Sequence, residues 1–346
     1  MSSDYKRFFE NKVVLITGGT GFLGKSLTKA ILKFNPHSIR IFSRDEVKHH
    51  LMQEEFANYP GAEKIRHLLG DVRDLERINK AMHGVDIAIH AAALKRLDLL
   101  EYNVEESIKT NILGAMNFVK ACLNNEVEKA VFVSTDKACS PINTYGACKF
   151  VSERIFIESN YNKGSAKTAL TCVRYGNVVE STGSVIPFFE EKIKNKKTIP
   201  LTHPEMTRFF ITPDQAVELI LTAIKNCVGG EVFIPKLPAF KIVDLIEILQ
   251  ERQKSNSDVK IIGVRPGEKI HEYMLNDSEV RRTYEFDNYF ILTSEIAKYS
   301  AEASMPGYLK TGKKLNADKF KGYSSQQQIM GKDRLKVLLA DYYNCL

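Results

Sequence analysis

Thr17-Gly18-Gly19-Thr20-Gly21-Phe22-Leu23-Gly24 is the stretch on which the reading of this chain turns. The apolar run 13–18 (VVLITG) leads into it, and helical periodicity over 22–34 follows. A glycine loop between a first strand and a helix is what dinucleotide binding requires. In the spacing GxxGxxG, Gly18 permits a tight turn, Gly21 lets backbone approach a pyrophosphate, and Gly24 allows the helix to pack closely on the sheet. The first helical turn then offers unpaired N–H groups to phosphate. Thr20, Phe22 and Leu23 join the glycines as candidate cofactor contacts. The plain alternative is a glycine-rich turn without ligand, and the position directly after the first strand weighs against it.

Outward from the loop, strand-like and helix-like segments alternate. Strands are expected at 38–43 (SIRIFS), 65–70, 85–91, 129–134 (KAVFVS) and 169–174 (ALTCVR), with helices at 75–82, 104–125 and 144–161. This alternation predicts βαβ units and a parallel sheet, wound right-handedly. The fold class is α/β: a Rossmann-type doubly wound parallel sheet with a smaller α+β substrate lobe. Eight of the 11 prolines lie in the second half, where the alternation loosens. Helices are expected there at 188–194, 214–226 and 242–252. Residues 1–175 read as mainly the dinucleotide-binding domain, and 176–346 as mainly the substrate lobe and a tail, with segments that interleave.

Composition narrows the function. The chain has 346 residues, 44% hydrophobic and 26% charged, a globular balance. Lys+Arg number 49 against 42 Asp+Glu, a net of +7. No basic block is interleaved with aromatics, so nucleic acid is not expected as a partner, while anionic small ligands are. No apolar run reaches membrane-spanning length, and MSSDYKRFFENK has no apolar leader core. A cytoplasmic protein with no membrane partner is expected. The six cysteines (122, 139, 148, 172, 227 and 345) lack CxxC spacing and read as buried free thiols. The eight histidines form no ligand spacing, and the adjacent His49 and His50 read as surface residues, so no metal is expected.

Three constellations carry chemistry. About 20 residues past the glycines, Ser43-Arg44-Asp45 stands where an adenine ribose is read. An acid there favours NAD and an Arg favours NADP. Ser43 and Arg44 come first and together bond a phosphate, so NADP is expected over NAD. Lys48 follows them as a further cationic candidate. Asp71-Val72 is placed to meet the adenine, and Ala91-Ala92-Ala93 leaves room for the cofactor. Tyr145 and Lys149 share a helix face at i and i+4. An ammonium beside the phenol would lower its pKa, and a phenolate then takes a proton from a substrate hydroxyl as hydride leaves the same carbon. Ser134-Thr135-Asp136-Lys137 ends the fifth strand, the edge where open α/β sheets bind ligands. An Asp–Lys pair there exceeds what simple oxidation needs.

Together GGTGFLG, HAAALK, STDK and YGACK make the chain resemble the extended short-chain dehydrogenase/reductases. More narrowly it resembles the inverting UDP-N-acetylglucosamine 4,6-dehydratases, for which Asp136-Lys137 is the marker, since retaining 4,6-dehydratases carry Asp-Glu. Arg174-Tyr175-Gly176-Asn177-Val178, Met206–Phe209 (MTRF) and Arg265–Glu272 (RPGEKIHE) match as well, over about residues 10 to 300. Phe22-Leu23 departs from the Ser-Phe expected in the bacterial enzymes, and the tail from Ser300 matches least. The resemblance implies that Tyr145 takes the 4-hydroxyl proton, that Lys137, its pKa depressed by burial and neighbouring cations, removes the C5 proton, and that protonated Asp136 donates to the leaving C6 hydroxyl. It implies that Lys149 bonds the nicotinamide ribose and that Thr135 and Lys95 hold sugar and phosphate. It also implies that Asn177, Arg208 and Arg265 form a uridine diphosphate clamp with Glu268 nearby, and that Asn111 and Val178 join Lys95 on the cofactor side. UDP-N-acetylglucosamine is the expected substrate and a homo-oligomer the expected assembly. A UDP-sugar 4-epimerase would share the loop and the Tyr–Lys pair without needing Asp136-Lys137. A non-catalytic NADP-sensing protein would keep the loop alone.

Overall fold

The computed structural model describes residues 3–178, 185–296 and 307–344. Six parallel strands form one side of the large sheet, mostly apolar where both faces are covered, with Arg40, Arg66 and His67 interrupting the two at its edge. They are β1 (Val13–Thr17), β2 (Ser38–Ser43), β3 (Ile65–Leu69), β4 (Ile87–His90), β5 (Lys129–Val133) and β6 (Ala169–Val173). The later strands are β7 (Ile199–Leu201), β8 (Thr207–Phe209), β9 (Val232–Pro235), β10 (Ala239–Lys241), β11 (Val259–Ile261), β12 (Tyr273–Leu275), β13 (Thr283–Glu285), β14 (Tyr289–Leu292), β15 (Lys313–Lys314) and β16 (Tyr323–Ser324).

The large sheet runs β15-β13-β14-β9-β6-β5-β4-β1-β2-β3. From β3 to β9 neighbours are parallel, and β14, β13 and β15 continue it antiparallel. The strand order reverses at β1, between β2 and β4, the switch point of a Rossmann-type fold. Segments beyond residue 175 thus complete this sheet. Helix Pro213–Asn226 also packs on it, started by a Thr212–Gln215 capping box with proline in the first turn.

A second core joins Ile186, Phe189, Leu245, Leu249, Leu335 and Leu339. It lies between helices Val185–Lys194, Ile242–Gln253 and Lys332–Asn344. Burying a side chain such as Leu245 is worth about 1.5–3 kcal/mol. The tail therefore returns to the molecule: its last helix closes this lobe, and β16 pairs with β12. No helix among the described residues is long and apolar enough to cross a membrane.

The helix expected over 104–125 is interrupted. Val104–Ser107 and Gly114–Asn124 are α-helical, and Ile108–Leu113 between them is a π-helix. The Asn111 carbonyl accepts from the Ser152 hydroxyl at 2.8 Å. His49 corrects the surface reading. It is buried, with Nδ1 2.9 Å from His67 Nδ1 and Nε2 3.2 Å from the Ser43 carbonyl, whereas His50 is exposed. Cys122, Cys139, Cys148, Cys172 and Cys227 are buried and free, and Cys345 lies outside the described residues.

Candidate active site

The glycine loop sits at the switch point. Gly18 has φ +65°, and a Cβ there would lie 2.9 Å from the backbone of Ala92. Only glycine allows the end of β4 to come this close. Gly21 begins helix Phe22–Leu32, no side chain caps it, and its first turn carries no acid. The helix end is therefore open to an anion. Gly24 is buried in the same helix, and Phe22 and Leu23 are half-buried. Thr20 reaches across to Ser43, hydroxyl to hydroxyl at 2.9 Å.

Around the ribose position the groups divide. Asp45 is spent on capping helix Glu46–Phe56: it accepts from Lys48 N–H at 3.1 Å and lies 3.2 Å from Lys48 Nζ. Arg44 is exposed, 3.7 Å from Asp71, which is bound more tightly by Arg73. Val72 is buried. Ala91, Ala92 and Ala93 are half-buried at the end of β4. Asn111 is almost fully buried and pins this segment instead of facing outward, accepting from Leu94 N–H and donating to the Leu94 carbonyl, both at 2.9 Å. Lys95 is exposed, with desolvation by its surroundings lowering its ammonium. Val178 is buried and bridges to Ile211.

The Tyr145 helix starts at an Asn143 cap that accepts from Gly146 N–H at 2.7 Å and donates to the Gly267 carbonyl at 2.7 Å. Gly146 has no room for a Cβ, which would overlap the Lys137 carbonyl. Burial pushes the Tyr145 phenol up to about 12, Lys137 pulling against it and Asp136 adding to it. The Lys149 cation does not act on the phenol as the i, i+4 spacing suggested. Its Nζ donates to the Val133 carbonyl at 2.6 Å and lies 4.3 Å from the Phe132 ring centre. Burial lowers it to about 8.

At the end of β5 the Asp–Lys pair is buried. Thr135 donates to Asp136 Oδ1 at 2.9 Å, and Lys137 Nζ donates to the same oxygen at 3.0 Å. Asp136 Oδ2 is buried without a hydrogen-bond partner among the described residues. Lys137 has two further acceptors, Asn177 Oδ1 at 3.2 Å and Glu272 Oε1 at 3.2 Å. An ammonium has three donors, so this one is saturated. Burial lowers the Lys137 pKa, but Asp136 and Glu272 outweigh it and hold it above its ordinary value. The expected depression is thus reversed, because two carboxylates face the nitrogen. Burial raises Asp136, Lys137 opposing and Glu272 assisting.

Arg208 is buried, donates to the Thr207 and Ile270 carbonyls, and lies 3.9 Å from Glu272. Arg265 is exposed, 4.0 Å from Glu268, which accepts from Thr202 at 3.4 Å. The structure therefore brings Thr135, Asp136, Lys137, Tyr145, Asn177 and Arg208 together and leaves Arg265 on the rim. Glu272 joins this group although sequence reasoning gave it no role. Its signal lay in the last position of the Arg265–Glu272 motif. Among the described residues no cluster of His, Cys, Asp and Glu is built to hold a metal ion.

The polysaccharide biosynthesis protein family matches this chain over residues 14–294. A UDP-N-acetylglucosamine 4,6-dehydratase (inverting) of Campylobacter jejuni is 46% identical over 83% of this chain and 84% of its own length. A UDP-glucose 4-epimerase of Rickettsia massiliae is 39% identical over 85% and 88%. The solved structure of Pen from Bacillus thuringiensis is 39% identical and superposes with a TM-score of 0.88, covering 97% of this chain and 99% of that one.

Proposed function

This chain is an enzyme that belongs to the polysaccharide biosynthesis protein family, and from that premise we propose that it is a UDP-N-acetylglucosamine 4,6-dehydratase that inverts C5 and recycles NADP. The observation that carries the reading is the buried Asp136–Lys137 pair facing the Tyr145 helix. Oxidation or epimerisation alone has no use for it. The product is UDP-2-acetamido-2,6-dideoxy-β-L-arabino-hex-4-ulose.

The cradle at Gly18 and the open helix end suit a pyrophosphate. With Asp45 spent on its helix cap, Ser43 and Arg44 remain for a 2′-phosphate, which supports NADP over NAD. Held by the Gly18 turn, the open helix end and Ser43-Arg44, NADP would supply a hydride acceptor for C4 and a hydride donor for C6.

Tyr145 takes the proton of the 4-hydroxyl. A phenol at about 12 needs about 7 kcal/mol of differential stabilisation to ionise at pH 7. The Lys137 charge already counts toward that value, so the further stabilisation would come from bound NADP, whose oxidised ring is cationic. The resting pair, Asp136 carboxylate and Lys137 ammonium, holds the same number of protons as the working pair, carboxylic acid and amine. One transfer along the 3.0 Å hydrogen bond interconverts them. The Lys137 amine then takes the C5 proton, acidified by the 4-ketone. The C6–O bond breaks, and Asp136 gives its proton to the leaving hydroxyl, releasing water. This returns the ion pair to its resting form; C5 gains a proton from solvent on the opposite face, and Tyr145 releases to solvent the one it took. Arg208 and Asn177 hold the diphosphate end, with Arg265 and Glu268 closing from the rim.

Incubating the purified protein with UDP-N-acetylglucosamine tests the reading. A product lighter by one water, with a 4-ketone and a C6 methyl group by proton NMR, supports it. A 4-epimer of unchanged mass selects the epimerase reading that the Rickettsia relatives carry in their names.

A further inference from the structure

We propose that Glu272 is a positioning residue of this reaction, whose buried carboxylate, 3.2 Å from Lys137 Nζ, holds that nitrogen against Asp136 so that one proton stays shared between them. The inference rests on the dehydratase reading above.

Of the three acceptors around Lys137, Asn177 is exposed and free to turn toward a substrate, while Asp136 and Glu272 are sealed in. Asp136 must change protonation state during water loss, so it cannot also be the fixed anchor. Glu272 is left for that task. Its backbone is clamped: the Glu272 N–H donates to Ser325 Oγ at 2.9 Å, and the Ser325 N–H donates to the Glu272 carbonyl at 2.8 Å. Ser325 Oγ lies 2.7 Å from Thr207 Oγ1, which lies 2.8 Å from His271 Nδ1. The tail that the sequence left unplaced thus fastens the anchor. Glu272 Oε2 is buried without a hydrogen-bond partner among the described residues, so the carboxylate's interactions converge on one oxygen. The charged and titratable groups facing it are Lys137 and Asp136 from the turn after β5, Arg208 from β8, and Lys269 from its own segment. Burial raises its carboxyl, but Lys137, Arg208 and Lys269 outweigh this and keep it ionised.

A fixed negative charge here has two effects of the same sign. It makes Lys137, once deprotonated, a stronger base for a carbon acid. It also disfavours ionisation of Asp136, which keeps the proton needed for the leaving hydroxyl. An exposed charge would be screened, but this one is not.

The test compares the full-length native, Glu272→Gln and Glu272→Asp proteins, NADP-loaded, on UDP-N-acetylglucosamine. Glu272→Gln keeps shape and removes the charge. Its kcat should fall by about 10², with KM within about threefold. The alkaline limb of its kcat–pH profile should move to lower pH, because the proton shared by Asp136 and Lys137 is held less strongly. Glu272→Asp should recover at least about tenfold of that loss. Circular dichroism checks the fold. If the Gln variant does not fold, Glu272→Asp, whose shorter side chain draws the charge back from Lys137, should itself show a lowered kcat and an alkaline limb moved to lower pH. A native profile there overturns the proposal. A native kcat and pH profile in Glu272→Gln overturns the proposal. So does a lowered kcat with an unmoved profile, which marks a merely structural residue. A native protein that releases no dehydrated sugar contradicts the dehydratase reading itself, whatever the variants do.

Discussion

His90 shows how far a single residue can depart from its motif. The segment 90–93 drew attention for its small side chains, yet the imidazole is what shapes the strand end. It is fully buried, 2.8 Å from Thr17 Oγ1, with ring centres of Phe118, Phe132 and Phe156 at 4.6, 5.8 and 6.3 Å. Burial and then the Lys149 charge push its pKa down to about 3. The unfolded chain protonates near pH 6.5, so between 6.5 and 3 it binds more protons than the folded one. Stability is therefore complete above about pH 6.5 and falls as pH drops toward 3, by about 3 kcal/mol at pH 4 from this group alone. Native Tm should fall more steeply than that of His90→Phe between pH 6.5 and 4, and parallel curves contradict this. The glycine loop, Tyr145 and the Asp136-Lys137 pair were legible because each is a local pattern with a chemical reason. The direction of Lys149 and the company of Lys137 were not. Their partners, the Val133 carbonyl and Glu272, come from elsewhere in the chain.

Among the elements, the strands β1 to β6 and the long Tyr145 helix stood out because short strand-like segments alternate with helix-length ones through the first half of the chain. The π-helix Ile108–Leu113 left none. Its apolar spacing matches an ordinary helix, and what sustains it is tertiary: the Ser152 hydroxyl takes a carbonyl, and Asn111 ties down Leu94. The short strands β7, β8 and β10 to β12, three residues each, are too brief to show a period. Helix Thr144–Asn162 delivers Tyr145 only because its first turn presses on the Lys137 loop at Gly146. Gly146→Ala would move that loop. An ångström of displacement costs about 10² in rate, so kcat should fall by that order while cofactor binding, set at Gly18, persists. Cofactor retention by absorbance together with turnover checks the split, and full activity in Gly146→Ala removes the packing argument.

In the whole molecule, one ten-stranded sheet carries the glycine loop and the Asp136-Lys137 turn, and a second core is built by helices from the later part of the chain. The doubly wound half was readable because its connections are local. Strands β9 and β13 to β15 were not, since they reach the sheet from far along the chain and pair by register rather than by pattern. Leu99, Tyr102, Val104 and Leu113 remain exposed between Leu97 and Asn124. We propose that these residues form a homo-oligomer contact, and sedimentation as a single copy would contradict that. In the proposed reaction Lys137 removes the C5 proton, and a different proton, drawn from solvent, is added at the other face. Proton NMR of the product formed in heavy water tests it most directly. The account predicts solvent deuterium at C5 in the L-arabino configuration, with the hydrogen from C4 carried unexchanged to C6. Retained configuration at C5, or a product still carrying its original C5 hydrogen, would contradict it.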